Sequence, residues 1–259
     1  MMQKEIDVTA LGELLIDFTE NGVSSQGNAL LEANPGGAPC NVLAMLGKLG
    51  KKTAFIGKVG NDQFGNMLRN TIESVGIDAE GLVIDDKVHT TLAFVHTYPD
   101  GDRDFSFYRN PGADMMLRKE EVSLEKICAS KIFHFGTLSF THAGIRTASQ
   151  YAIQCAKEAG ALISFDPNLR EPLWENLEDA RKAIEYGMEC CDILKISDNE
   201  LTFMTGEKDY DKGAVLLQQK YQIPLVCVTL GKDGSRAYYK GLTIKAEPFL
   251  QKNTIETTG

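Results

Sequence analysis

The sequence predicts an α/β fold: a mostly parallel sheet with helices on both faces and a small β-sheet lid. Three observations carry this. Short apolar runs ending in glycine alternate with amphipathic helical stretches along most of the chain, the pattern of βαβ units. Two segments break the alternation with an extended, period-two pattern. No low-complexity linker or internal repeat divides the 259 residues, a length that one large α/β domain accommodates. Residues 1–259 therefore read as one domain, with the lid at about 13–35 and 88–113.

The elements follow in order. "IDVTALG" (6–12) is a buried strand closed by glycine. "APCNVLAMLGKLG" (38–50) carries Val42, Met45, Leu46 and Leu49 at helical spacing and stops at Gly50. "TAFIGKVG" (53–60) is a strand, and 62–76 is a helix with Asp62 as cap and Gly76 as stop. Strands at 131–136, 161–166, 192–197 and 224–231 then alternate with helices at 142–160, 174–189, 198–205 and 211–221. "TTLAFVHTYPDGDRDFSFYRN" (90–110) alternates on both sides of "PDGD" and reads as a hairpin. Residues 18–34 are extended with glycine and asparagine turns. A flap built from these two pieces covers the carboxyl ends of the parallel strands, where open α/β sheets bind ligands.

Composition excludes several functions. A net charge of −9 argues against nucleic-acid and anionic-membrane partners. Glu5, Asp7, Glu13 and Asp17 interrupt the first apolar stretch, which rules out a signal-peptide core there. No apolar run has the length of a membrane span. The six cysteines lack metal spacing and read as reduced thiols, pointing to a cytoplasmic protein. Walker A, G-x-G-x-x-G and G-x-S-x-G patterns are absent, and the four histidines are scattered.

Several stretches sit where chemistry is expected. "NPGGAPCN" (34–41) pairs glycines with Pro39 and Asn41, as a ligand loop or as a helix cap. Asp17 ends "ELLID" and is either an acceptor for polyol hydroxyls or a solvated loop residue. Arg103, Phe105, Phe107 and Arg109 alternate, so a regular strand puts them on one face, as a ligand cover or a half-buried surface. "FDPNLR" (165–170) alternates Asp166, Asn168 and Arg170 after a strand. "KISDNE" (195–200) places Lys195 and acids at a strand end, with Asp198 as a helix cap. "VTLGKDGS" (228–235) is a strand, a glycine turn and a strand, either a phosphate cradle or a plain hairpin.

Together these stretches resemble the ribokinase-like (PfkB-type) carbohydrate kinases, most closely the bacterial fructokinases, over the whole chain. "GGAPCNVLAMLGKLGKKTAFIGKVGNDQFG" (36–65) looks like the family's first signature, and "FSFYRNPGADMML" like the fructokinase sugar-lid segment. "FDPNLR", "KISDNELTFMTG" and "VTLGKDGS" match the middle blocks in order. The resemblance implies a kinase that moves the ATP γ-phosphoryl group to a primary hydroxyl of a hexose, most closely fructose, with Mg²⁺. It implies sugar contacts from Asp17, Gly36, Gly37, Asn41, Phe107 and Arg109, with Arg103 as a weaker candidate. It places Asn168, Arg170, Lys195, Thr229, Gly231 and Gly234 on the ATP side, and Glu200 and Asp166 at the metal through water. Ser197 stands where many relatives have Asn. The rival readings are a 2-keto-3-deoxygluconate kinase and a non-catalytic sugar-binding regulator on the same fold. A homodimer formed through the lid is also implied. The family's second signature runs from Thr-Thr-Gly into Ala-Gly-Asp and a helix. The resemblance thus puts the catalytic Asp beyond Gly259 and no catalytic base within the 259 residues, which alone are expected to be inactive.

Overall fold

The structure, a computed structural model, describes residues 4–97 and 103–249. A nine-stranded sheet has the order β13-β12-β11-β10-β9-β8-β1-β4-β5. Its strands are β1 (Ile6–Leu11), β4 (Thr53–Gly60), β5 (Ile77–Asp85), β8 (Ser130–Gly136), β9 (Leu162–Asp166), β10 (Ile193–Ser197), β11 (Leu225–Thr229), β12 (Ser235–Tyr239) and β13 (Leu242–Ala246). From β5 to β11 every pairing is parallel, and β12 and β13 add an antiparallel edge. A second sheet has the order β3-β2-β6-β7, from β2 (Leu15–Val23), β3 (Ala29–Gly36), β6 (Leu92–Thr97) and β7 (Arg103–Tyr108). The "PDGD" turn of the hairpin lies outside the described residues, as do Thr257, Thr258 and Gly259.

Helices α1 (Ala38–Lys48), α2 (Gln63–Ser74), α3 (Leu124–Cys128), α4 (Ala143–Glu158), α5 (Leu177–Cys190), α6 (Asp198–Thr205) and α7 (Tyr210–Tyr221) connect the strands. Their starts follow from capping. Asp62 accepts from the Gly65 amide at 2.8 Å and opens α2. Helix α5 begins at Leu177 and not at 174 because Asn176 is the residue that caps it, accepting from the Asp179 amide at 2.9 Å. Strand β5, "IDAEGLVID", lacks the clean alternation of its neighbours and is recognised through its parallel pairing with β4.

The core divides across the sheet. Helices α1 and α2 pack on one face over Val8, Ala10, Phe55 and Leu82. On the other face α4, α5 and α7 cover Leu11, Phe133, Phe165, Ile196 and Val228. Strands β8 to β11 alternate, so the face of α1 continues as His134, Ser164, Lys195 and Cys227. Fully buried parallel strands read as continuous apolar runs, whereas these carry polar side chains on one side. That polar face leads to the carboxyl ends of the strands.

One buried cation ties the segment after the lid to the sheet. Lys58 on β4 is 3% exposed. Its Nζ lies 3.3 Å from Asp85, 2.8 Å from Glu121 and 3.1 Å from the carbonyl of Met116. Burial raises both carboxyls, but hydrogen bonds, including those from Lys58, outweigh it and hold Asp85 and Glu121 below their ordinary range. Among the described residues, removing the cation leaves Asp85 with only the Lys87 and Val88 amides, while Glu121 keeps Arg118. Lys58→Ala is expected to lower unfolding stability by about 3–5 kcal/mol in urea titrations at neutral pH; an unchanged midpoint would refute this role.

Candidate functional site

Strand order reverses beside β1. The chain runs from β1 to β4 and β5 on one side, then returns to β8 on the other. Crevices at such switch points, outside the carboxyl ends of strands, are where open α/β sheets take ligands. A cavity of about 130 Å³ lies there, lined by Glu13, Asp17, Gly37, Asn41, Phe105 and Phe107, among others. Glu13 follows β1, Asp17 is on β2, Asn41 on α1 and the two phenylalanines on β7.

Local geometry explains this convergence. Register places Asp17 beside Ala93, and Ala93 beside Phe107, in one row across the lid. The Phe105 and Phe107 rings stack at 5.9 Å on that face. Phe94 faces the other way and stacks on Phe18 at 5.0 Å, which in turn meets Phe64 of α2. Gly37 caps α1 at φ 122°, a region open to glycine, and a Cβ there would strike the main-chain oxygen of Glu13. A Cβ on Gly36 would strike the Asp17 carboxylate. The glycine pair therefore lets β2, the β1–β2 turn and the start of α1 close on one another.

Glu13 is a site residue that sequence reasoning missed. It is 4% exposed, and its Oε1 accepts from the Ala38 amide at 2.9 Å. Burial pushes its carboxyl up to about 7; Asp114 adds to the rise, while Arg109 and main-chain amides oppose it. The available signal was its place directly after the glycine that ends a buried strand, flanked by Leu14 and Leu15.

Arg109 is not brought to this cavity. It lies one residue past β7, so strand alternation no longer sets its direction. It is 7% exposed, and its Nε and Nη2 donate to Asp114 Oδ2 at 2.8 and 2.6 Å. Nη1 donates to Thr141 Oγ1 at 2.8 Å and Nη2 to the Leu138 carbonyl at 3.1 Å. The guanidinium is bonded to these protein partners and is not among the residues lining the cavity, where it was expected to meet the sugar. Arg103 is in β7 opposite Thr97, and its side chain lies outside the described residues.

A second, larger cavity of about 430 Å³ adjoins the first and shares Asn168 and Arg170 with it. Lys195, Ser197, Asn199 and Glu200 line it further out. Asn168 has φ 44° and donates its amide to Asp166 Oδ1 at 3.2 Å, a turn asparagine tolerates. The Arg170 guanidinium lies 5.7 Å from the Phe105 ring, so the lid meets the seam between the cavities. Lys195 pairs with Asp166 at 3.0 Å. Burial raises the Asp166 carboxyl, and Lys195 opposes the rise.

Glu200 is committed as well. It accepts from the Leu169 amide at 2.7 Å and from the Ser197 amide and hydroxyl at 2.9 Å. With Ser197 it forms a capping box at the start of α6. Among the described residues no cluster of three or more His, Cys, Asp or Glu could hold a metal. Thr229 lies beside Ser197 at the end of β11, and neither it nor Gly231 and Gly234 lines either cavity among the described residues. Gly231 and Gly234 take φ values of 54° and 83° in the turn to β12.

The chain is similar to known carbohydrate kinases. A model of the "pfkB family carbohydrate kinase" matches residues 5–259. "Probable fructokinase-2" of Arabidopsis thaliana is 46% identical over 97% of this chain and 77% of its own length. A fructokinase from Xylella fastidiosa, solved with bound ATP, superposes with a TM-score of 0.85 at 30% identity, covering 96% of this chain and 76% of that one. A double-mutant fructokinase from Vibrio cholerae O395, solved with fructose, ADP and potassium ion, gives 0.83 at 29% identity, over 95% and 77%.

The committed state of Arg109 is testable. Arg109→Ala leaves Asp114, 3% exposed, without its cation. Unfolding stability should fall by about 3–5 kcal/mol, and adding Asp114→Ala should restore part of it. Strictly additive losses in that double-mutant cycle would remove the pair from the account.

Proposed function

The chain belongs to the pfkB family of carbohydrate kinases, and on that premise we propose that it phosphorylates fructose with ATP. The observation that carries the reading is the pair of cavities meeting at Asn168 and Arg170. The smaller offers hydroxyl-binding groups under an aromatic cover. The larger offers Arg170 and Lys195 to an anionic polyphosphate. Relatives have been solved with bound ATP and with fructose and ADP; the chemistry of the two linings is what supports assigning the sugar to the first and the nucleotide to the second.

Each residue then has a task. Asp17 accepts from sugar hydroxyls, Asn41 accepts and donates, and Phe107 packs on the apolar face of the sugar. Gly36 and Gly37 keep the loop close to the ligand. Together they fix a primary hydroxyl toward the seam, so that attack on the γ-phosphorus proceeds in line. Arg170 and Lys195 neutralise charge on the phosphates during transfer. The lid excludes water, which would otherwise compete as acceptor.

Magnesium is tested by the donors present. This ion keeps most of its waters and takes one or two carboxylates besides substrate phosphates. Asp166 and Glu200 already carry protein hydrogen bonds, so they fit as holders of its water ligands and not as a direct cage. When bound, the ion would neutralise developing phosphate charge. A 2-keto-3-deoxygluconate kinase would need cations such as Arg103 and Arg109 for the substrate carboxylate; Arg109 is spent on Asp114, and the side chain of Arg103 lies outside the described residues.

A coupled ADP-release assay with fructose and magnesium-ATP tests the activity in the intact protein; binding of both ligands without ADP release would favour the regulator reading. Asp17→Ala should weaken fructose binding by about 1.5–3 kcal/mol in calorimetric titration, the value of a hydrogen bond to a charged group. Unchanged affinity would move the sugar elsewhere.

The far side of the lid carries a second proposal. Leu31 and Tyr108, on the face of Phe94, are 46% and 68% exposed. A second copy covering this apolar surface would give the lid-mediated homodimer. Sedimentation at micromolar concentration should show a dimer for the intact protein and a monomer after Leu31→Asp; monomer in both cases counts against it.

A further inference from the structure

Resting on the assignment of the smaller cavity to fructose, we propose that Glu13 is a further sugar-binding residue, its second carboxylate oxygen accepting a hydrogen bond from a fructose hydroxyl. Glu13 sits at the turn from β1 to β2 and lines the cavity with Asp17, Gly37 and Asn41. One oxygen, Oε1, already serves the fold by receiving the Ala38 amide at the start of α1. No side chain among the described residues donates to the carboxylate. A carboxylate only 4% exposed is costly to hold without donors. Its own amide and that of Ala38 are the protein donors to this carboxyl, and receiving main-chain amides requires only an amide oxygen, so these contacts alone do not call for an ionisable group. A ligand hydroxyl entering the cavity supplies the donor that the protein withholds.

The electrostatic surroundings agree. Asp17 on β2, Cys40 on α1, Arg109 and Asp114 after β7, His134 on β8, and Asp166 and Arg170 at the end of β9 face this region. Arg109 is paired with Asp114 and so does not neutralise Glu13. His134, pushed down to about 4 by burial and Lys195, stays uncharged near neutrality. Burial pushes the Glu13 carboxyl up to about 7. A hydroxyl donor favours the ionised form, so fructose binding releases a proton near pH 7 and weakens as pH falls below it.

The sign for stability is opposite. With a folded-state value above its ordinary 4.5, Glu13 binds protons more readily when folded. The free protein therefore loses stability as pH rises from about 4.5 to 7. Gln at this position keeps the acceptor for Ala38, removes the buried charge, and points an amide donor where the hydroxyl needs an acceptor.

The experiment is calorimetric titration of fructose into the intact wild-type protein and Glu13→Gln, with thermal unfolding of both at pH 8 or thereabouts. Glu13→Gln should melt at or above the wild-type temperature and bind fructose about 10- to 100-fold more weakly. In a series of monodeoxyfructoses, one analogue should lose affinity for wild type and lose nothing further for Glu13→Gln. Equal fructose affinity in the two proteins, or additive losses for every analogue, would overturn the proposal. If Glu13→Gln does not fold, wild type alone decides: titrations in two buffers of different ionisation enthalpy should show proton release near pH 7, and no release overturns it. Failure of wild type to bind fructose at all would instead sink the assignment of the cavity.

Discussion

The Arg109–Asp114 pair holds the parts of this molecule in register. Asp114 receives Thr91, which leads into β6, at 2.5 Å, and Arg109, which follows β7. Arg109 in turn reaches Leu138 and Thr141, just beyond β8. Both ends of the lid hairpin are thereby fixed to the loop that leaves the sheet where strand order reverses. Salt bridges this deeply buried give little net stability but are damaging to break. Their value here is positional. With both roots pinned, the row from Asp17 through Ala93 to Phe107 is aimed at the cavity, and Phe18 and Phe94 pack on the other side toward α2. The same pair also sets the field at Glu13, because a cation matched by its own anion no longer lowers a neighbouring carboxyl much.

The division of labour between the two sheet faces comes from period-two alternation in β8 to β11. Apolar residues such as Phe133, Phe165, Ile196 and Val228 turn to α4, α5 and α7. Their neighbours His134, Ser164, Lys195 and Cys227 turn the other way. A parallel sheet that carries polar groups on one face must satisfy them. His134 bonds to Ser164 at 3.0 Å, and Lys195 pairs with Asp166. The polar strip ends at the carboxyl termini of the strands, where Asp166 and Ser197 meet the larger cavity's lining. Chemistry and packing thus use alternate residues of the same strands, which lets Lys195 be placed rigidly between two core positions, Leu194 and Ile196.

Much of this was legible in the sequence, and the misses have physical causes. Alternating strands and helices, glycine stops and Asp62 as a cap depend on local chemistry, and sequence carries local chemistry well. The face shared by Phe105 and Phe107 followed from alternation within a strand. The expectation that Arg109 shares the face of Phe105 and Phe107 extended that alternation one residue past Tyr108, where the chain leaves the sheet. Its true partner, Asp114, is five residues on, in a helical turn that no periodicity announces. Glu13 was read only as evidence against a signal peptide, since a charge in an apolar stretch is normally exposed. Its burial depends on Gly37 bringing the Ala38 amide across, a contact between residues 25 apart. Glu200, expected at the metal through water, lines the larger cavity, but sequence could not show that Leu169 and Ser197 already occupy both of its oxygens.

These placements bear on selectivity for a neutral sugar. A site for an acidic sugar needs an uncommitted cation facing the ligand, since a carboxylate buried without one is strongly disfavoured. In the smaller cavity the groups near the reversal point are instead acceptors, Asp17 and Glu13, with Asn41 as a mixed donor and acceptor. Arg170 stands at the far end, over Phe105 and beside Asn168, where the two cavities meet. A ligand rich in hydroxyl donors complements the near end, and an anionic group complements the far end. On the proposed assignment of the smaller cavity to the sugar, this gradient from acceptors to cations turns one end of a polyol toward the cations of the larger cavity. Arg109 is unavailable to the carboxylate of an acidic sugar, because Asp114, Thr141 and the Leu138 carbonyl hold its guanidinium at the lid root.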